Sequence, residues 1–244
     1  MPIYRGDVPY LTTGQMIEVD RAMMEDFRID LVRMMENAGR NLAHLARVRF
    51  LDSDPRGRRV TVLAGTGGNG GGALVCARRL HNYGALVSVL VTGAEGDLAP
   101  VTDQQMDILH RMRVPVARAS MAAGADSLDL IIDGVIGYSL RGAPQAAAGD
   151  LIRWANEQGA PVLSLDVPSG VDMATGAVHD PAIRATATLT LALPKEGLQA
   201  AGVGDQVGEP YLADISVPPS LYAGPGLALQ VGNLFAEGDI IRLS

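Results

Sequence analysis

The sequence predicts an α/β fold, a three-layer α/β/α sandwich that is Rossmann-like and has a mostly parallel central sheet. Strand and helix signals alternate along most of the chain, and this alternation is typical of a parallel sheet covered by helices on both faces. A glycine-rich segment, Gly65 to Gly72, separates an apolar strand from a stretch of helical periodicity. The 244 residues suit a single domain of this kind, with a large core.

Each element has its own signal. Thr12-Thr13-Gly14-Gln15 is a capping box that begins a first helix, and apolar residues at helical spacing predict a second helix from about Asp30 to Phe50. Apolar runs predict strands near residues 59–64, 85–91, 114–117, 129–133, 161–166, 186–193 and 209–214. Helices are predicted between them near residues 71–83, 98–112 and 144–158. The tail from Val217 to Ser244 is rich in proline and glycine, and we expect it to wrap the surface.

Composition excludes several classes of protein. The net charge is −7 and no basic block is present, so nucleic acid is not expected as a partner. No run approaches the ~18 apolar residues of a membrane helix, and the N-terminus lacks a secretion signal, so we expect a cytoplasmic protein without a membrane partner. Cys76 is the single cysteine, and Lys195 is the single lysine. The lysine count indicates a GC-rich genome more than a mechanism.

The glycine-rich segment predicts a phosphate-bearing ligand. Glycines let a loop approach a ligand closely, and the free N–H groups at the start of the next helix attract an anion. Gly65-Thr66-Gly67-Gly68-Asn69-Gly70 matches the dinucleotide fingerprint literally. That fingerprint also needs an acidic residue roughly 20 residues further on, at the end of the next strand. The strand instead ends in Val91-Thr92-Gly93, with Glu95 and Asp97 arriving late. The missing acid disfavours an ordinary NAD-linked dehydrogenase. A Walker loop is disfavoured as well, because no Gly-Lys-Ser/Thr follows the glycines.

Two more strand ends carry polar groups. Residues 130–132 form a short apolar run that leads into Asp133, and the mostly apolar residues 162–165 lead into Asp166. Ligands of open parallel sheets bind beyond the carboxyl ends of the strands. Each aspartate alone is explained by capping a following turn. Because Asn69 follows a third strand in the same way, we favour one shared site.

Four segments together resemble the YjeF N-terminal domain family, the NAD(P)H-hydrate epimerases, from about Leu11 onward. They are the Met34–Arg40 segment with its MENAGR core, the glycine-rich residues 65–75, Asp133 to Gly142, and Asp166 to Asp172. The resemblance implies a Rossmann-like sandwich that is usually dimeric. It also implies binding of NADHX or NADPHX, the hydrated forms of the reduced nicotinamide cofactors, and interconversion of their R and S epimers so that a separate dehydratase repairs both. We expect residues 1–244 to be a single such domain, with no dehydratase domain.

The resemblance also assigns site residues. It implies a potassium ion bound by Asn69, Asp133 and Ser169, an all-oxygen set that suits a hard cation. It implies a substrate-binding loop of Gly68, Asn69, Gly70, Gly71 and Gly72. It implies a second substrate-binding segment of Gly137, Tyr138, Ser139, Leu140, Arg141, Gly142 and Ala143, in which Arg141 is available for a phosphate. Asp166 matches a ligand-binding aspartate and is our candidate for proton transfer and for stabilising transient positive charge.

Some positions depart from the family pattern. Gly68 replaces an asparagine, Gly72 an aspartate and Ala73 a glycine, and Ala143 stands where an acidic residue is common. These losses leave a second hypothesis open: a catalytically degenerate nucleotide-binding or scaffold protein with the same fold. The retained Asn69, Asp133, Asp166 and Ser169 oppose it.

Overall fold

The computed structural model describes residues 1–94, 96–121 and 127–244. The strands are β1 Ile3–Tyr4, β2 Arg59–Ala64, β3 Leu86–Val91, β4 Val116–Arg118, β5 Leu130–Gly134, β6 Val162–Leu165, β7 Ala187–Leu191, β8 Glu209–Ala213 and β9 Ile240–Leu243. The α-helices are α1 Thr13–Glu25, α2 Leu31–Phe50, α3 Gly68–Asn82, α4 Pro100–Arg111, α5 Ala146–Glu157, α6 Gly204–Val207 and α7 Pro219–Ala223. All seven predicted strands and all five predicted helices are present. Glu95 lies outside the described residues.

The strands form one sheet in the order β1-β9-β8-β7-β6-β5-β2-β3-β4 across the described residues. The neighbouring strands pair in parallel, except that β8 and β9 are antiparallel. The prediction of a mostly parallel sheet is confirmed. No helix in the part of the chain that the structure describes is long and apolar enough to cross a membrane.

Helices cover both faces of the sheet, as the alternating pattern predicts. On β2, Val60 and Val62 point into a core built with α2, α3 and α4. Leu63 points the opposite way, into a core shared with Leu151 and Ile152 of α5. A third cluster joins α1 and the C-terminal tail to the end of the sheet that contains β8 and β9. The three-layer prediction is therefore confirmed.

The prediction for the tail is wrong at its end. Ile240–Leu243 is a sheet strand that lies between β1 and β8, and the cluster that it helps to form is buried. A four-residue apolar run after a stretch rich in proline and glycine gives too short a pattern to predict a strand. The edge of β8 supplies the partner that makes it one. Helix α3 also begins earlier than expected, at Gly68, because the glycine-rich residues themselves form its first turns.

The order of the strands places the site. The chain crosses from β2 to β3 on one side, whereas β5 pairs with the other side of β2. Such a reversal opens a crevice beyond the carboxyl ends of the two central strands, where ligands of open α/β sheets bind. The glycine turn follows β2, and Asp133 stands at the end of β5.

Candidate active site

The turn after β2 exposes the N-terminus of α3. Gly67 is the N-cap and makes no side-chain capping bond, and α3 begins at Gly68. The backbone N–H groups at the start of α3 therefore receive no capping hydrogen bond from a side chain at position 67. The dipole of the helix favours an anion at this end. An added Cβ at Gly67 or Gly68 would meet nothing within 4 Å, so this part of the turn is open.

Two glycines of the same turn are required by backbone packing. A Cβ at Gly65 would lie 1.9 Å from the carbonyl oxygen of Val135, and one at Gly70 would lie 2.0 Å from that of Gly65. Neither contact is possible for a larger residue. Part of the glycine signal thus comes from the close approach of the β2 turn to the β5 turn, and not from a ligand.

Asp133 is a fully buried carboxylate that ties the ends of β5 and β6 together. Its Oδ1 accepts hydrogen bonds from the Ser169 hydroxyl at 2.6 Å and from the Val135 N–H at 3.2 Å. Its Oδ2 accepts from the Ser164 hydroxyl at 2.8 Å and from the Ser169 N–H at 2.9 Å. Burial raises the pKa of Asp133, and the hydrogen bonds from Ser169 oppose that rise.

Asn69 approaches this group through the segment after β5. A Cβ at Gly137 would lie 3.3 Å from the Asn69 Cβ, and the Ile136 N–H donates to the Ser169 hydroxyl at 2.8 Å. Within the described residues no hydrogen bond joins Asn69 to Asp133 or Ser169. The Asn69 Nδ2 is buried and has no partner in this part of the chain. A buried N–H donor without an acceptor is costly, so a ligand atom that accepts from it is expected here.

Asp166 begins the turn after β6 in a strained conformation. Its φ is 67°, in the left-handed region that side chains other than glycine seldom adopt, and its N–H donates to the Leu189 carbonyl at 2.7 Å. Its Oδ1 accepts a hydrogen bond from the ammonium of Lys195. No hydrogen bond within the described residues reaches its Oδ2. One carboxylate oxygen is thus held by a cation, and the other is left without a hydrogen bond from the described residues.

A cavity of about 610 Å³ lies over these strand ends. Of the predicted substrate-binding residues, it is lined by Gly68, Asn69, Gly72, Gly137, Tyr138, Ser139 and Asp166. Its lining does not include Gly70, Gly71, Leu140, Arg141, Gly142 or Ala143, and the Arg141 side chain is exposed. Asp133 and Ser169 lie behind the wall. The lining also contains a group of apolar side chains, those of Met16, Met24, Leu31, Met34, Met35 and Ile215.

Comparison with known proteins places the chain in a family. Residues 32–197 match the model of the YjeF-related protein N-terminus. The chain belongs to this YjeF-type family. It is 40% identical over 238 residues to the NAD(P)H-hydrate epimerase of Dehalogenimonas lykanthroporepellens, which covers 96% of this chain and 92% of that protein.

Further relatives agree. The NAD(P)H-hydrate epimerase of Rhodopirellula baltica is 30% identical over 217 residues, covering 88% of this chain and 87% of that protein. The bifunctional NAD(P)H-hydrate repair enzyme Nnr of Salinibacter ruber is 32% identical, but this chain covers only 41% of it. The crystal structure of the yeast protein YNL200c has the same fold, with a TM-score of 0.81 over 97% of this chain and 100% of that one at 22% identity. None of these relatives supports the scaffold hypothesis.

Lys195 is one residue of this YjeF-type site that sequence reasoning missed. It is fully buried, and its ammonium also donates to the Leu191 carbonyl at 2.9 Å and the Thr190 hydroxyl at 3.3 Å. A buried lysine is rare unless paired. One signal in the sequence pointed to Lys195: it is the only lysine of the chain and lies just after a strand. A bias in composition explained the scarcity of lysine equally well.

A second pair in the same cavity was also missed. The Tyr138 hydroxyl donates to the Asp20 Oδ2 at 2.5 Å, joining α1 to the segment after β5. Burial raises the pKa of Asp20, with a smaller contribution from the charge of Asp166. Burial also raises the pKa of Tyr138, so that its phenol stays protonated. Asp20 precedes every motif that carried the resemblance, so no sequence pattern singled it out.

Proposed function

We propose that this protein is an NAD(P)H-hydrate epimerase, an isomerase that interconverts the R and S epimers of NADHX and NADPHX in the repair of nicotinamide cofactors. The observation that carries the proposal is the ion-paired Asp166 in the wall of a cavity that the open N-terminus of α3 also lines. The full-length similarity to proteins named as epimerases gives the substrate. A dehydrogenase is disfavoured because Thr92, and not an acid, faces the cavity at the end of β3.

The reaction exchanges a hydroxyl group at a carbon next to the ring nitrogen. The nitrogen lone pair expels the hydroxyl, an iminium forms, and water returns to either face. The site must protonate the departing hydroxyl, deprotonate the incoming water and stabilise the positive charge of the iminium.

Asp166 suits two of these tasks. The ammonium of Lys195 fixes one of its oxygens, while the other oxygen accepts the proton of the incoming water. Its negative charge, in a wall with little solvent, stabilises the iminium. The strained backbone of Asp166 is consistent with a residue held for function.

We also propose that a potassium ion is bound by Asn69, Asp133 and Ser169. One carboxylate, one hydroxyl and one amide form an oxygen donor set that a hard cation accepts. The side-chain amide of Asn69, which has an unpartnered Nδ2, supports this fit. The oxygen and the nitrogen of an amide are nearly indistinguishable, so the amide group can be turned over. Its oxygen then lies where Nδ2 was, as an acceptor without a partner. When bound, such an ion supplies a fixed positive charge that orients the anionic parts of a ligand. We further propose that the protein is a cytoplasmic homodimer, as the family resemblance implies.

The test is a direct assay of epimer exchange. The purified chain is added to resolved R- or S-NADHX, and the approach to the epimeric mixture is followed by chiral chromatography or NMR. We expect exchange far faster than in buffer. A rate equal to the uncatalysed rate for both NADHX and NADPHX, with and without potassium, would contradict the proposal.

A further inference from the structure

We propose that Asp20 is a second catalytic residue of this site, which donates the proton to the departing hydroxyl while Tyr138 holds its carboxyl group in place. This inference rests on the proposed epimerase function and deepens it, since that function leaves the proton donor unassigned.

The geometry places Asp20 in the reaction chamber. Met16, Asp20 and Met24 are spaced one helical turn apart on α1 and line the same cavity as Asp166. Asp20 is thus the polar group on an otherwise apolar helix face. The hydrogen bond from Tyr138 fixes one of its oxygens at 2.5 Å, so the carboxyl group is positioned before substrate binds.

The two cavity carboxyl groups have opposite environments. Asp166 is paired with the ammonium of Lys195. Asp20 has no salt bridge in the part of the chain that the structure describes, and its hydrogen-bond partner is a neutral phenol. Burial and, to a smaller extent, the charge of Asp166 raise the pKa of Asp20. The hydrogen bond from Tyr138 and the charge of Lys195 lower it. Paired carboxyl groups whose environments differ in this way divide into an acid and a base.

The proton balance closes with these two groups. The C–O bond breaks as the ring nitrogen forms its double bond to carbon, and the Asp20 proton passes to the leaving oxygen, which departs as water. A water molecule then adds from the other face, and its proton passes to Asp166. Proton exchange with solvent returns both groups to their starting states. No oxidant or reductant is needed.

The test compares Asp20→Asn, Tyr138→Phe and a control, Glu25→Gln, which lies on the same helix and is exposed. We expect Asp20→Asn to lower kcat by about 10²- to 10⁴-fold, the usual contribution of a general acid, with little change in KM. Tyr138→Phe should lower kcat less, and Glu25→Gln should match the wild type.

The pH profile separates an acid from a structural residue. An acid works only while protonated, so the wild-type kcat/KM should fall as pH rises through the raised pKa of Asp20. Asp20→Asn should lose this alkaline limb, whereas Asp20→Glu should retain it even if the longer side chain slows the reaction. Far-UV circular dichroism and the melting temperature verify that each variant is folded.

The outcomes are distinct. An inactive wild type overturns the proposed function, and this inference with it. An active wild type with an unchanged rate in Asp20→Asn overturns this inference alone. A slower Asp20→Asn variant that keeps the alkaline limb of the pH profile also overturns it. In that case another group supplies the proton. If Asp20→Asn does not fold, retention of the limb in Asp20→Glu supports the inference and its absence contradicts it.

Discussion

Lys195 and Asp166 form a buried ion pair that links the wall of the cavity to the segment before α1. The Lys195 ammonium donates to the Asp166 carboxylate, and both side chains are almost completely buried. The backbone on either side of Lys195 brackets Leu11: the Leu11 N–H donates to the Pro194 carbonyl at 2.8 Å, and the Glu196 N–H to the Leu11 carbonyl at 3.0 Å. The charge that holds Asp166 thus lies in the segment that anchors the helix carrying Asp20.

Replacing Lys195 with methionine should destabilise the protein strongly. It leaves the Asp166 carboxylate buried without a counter-charge, and breaking a buried pair in this way costs about 3–5 kcal/mol. Urea denaturation at pH 7 measures the free energy of unfolding.

The double variant Lys195→Met/Asp166→Asn is the control. Because it removes both charges, we expect it to recover most of the lost stability. Equal destabilisation of the single and double variants would show that the loss comes from packing and not from the stranded charge.

Asp166→Asn should affect catalysis more than binding. The amide keeps the shape of the carboxylate but accepts no proton and supplies no charge to the iminium, so we expect kcat to fall by about 10²- to 10⁴-fold. Titration of NADPH as a substrate analogue measures whether affinity is retained. A parallel loss of affinity and rate would make Asp166 a binding residue only.

The fold was predictable because its signals are local. Alternating apolar periodicity marks the strands and helices from Arg59 to Ala213, and parallel pairing follows from their alternation. Strand β9 was not predictable, since Ile240–Leu243 becomes a strand only when it meets the edge of β8. Pairing between segments that are distant in sequence leaves little local trace.

The site was predictable only at strand ends. Topology brings Asn69, Asp133 and Asp166 to one edge of the sheet, and this part followed from the sequence. The partners Lys195 and Asp20 come from after β7 and from α1, and their contacts with Asp166 and Tyr138 exist only in the folded chain. A buried ion pair needs two residues to be recognised together, and no spacing rule links these.

Potassium should stabilise the wild-type protein through Asp133. A ligand that binds only the folded state adds about 2.7 kcal/mol at a concentration 100 times its Kd. The melting temperature should therefore be higher in potassium than in lithium or choline salts of equal ionic strength. Asp133→Ala should abolish the difference and weaken nucleotide binding. A crystal soaked in a rubidium salt that shows no peak between Asn69, Asp133 and Ser169 would contradict the ion site.

Arg141→Ala tests whether the exposed segment after Tyr138 reaches the substrate. If Arg141 contacts a phosphate, KM should rise by about tenfold, the equivalent of one lost charged hydrogen bond of about 1.4 kcal/mol, and kcat should change little. Arg56→Ala is the matched control, because Arg56 is also exposed but precedes β2, at the opposite end of the strand from the site. Equal KM values for the two variants would remove Arg141 from the site.

Gly72→Asp tests whether the departure from the family pattern limits activity. A Cβ at Gly72 would lie 2.8 Å from the Leu165 Cδ2, the far end of a flexible side chain, so an aspartate fits after a small shift of that methyl. We expect the wild type to exchange the epimers at an enzyme-like rate and Gly72→Asp to raise that rate little, because Asp166 and its lysine are intact. Gly72→Ala is the control for the shift alone. An inactive wild type that Gly72→Asp activates, while Gly72→Ala does not, would show instead that the lost carboxylate is essential and that the native chain keeps the fold without the chemistry.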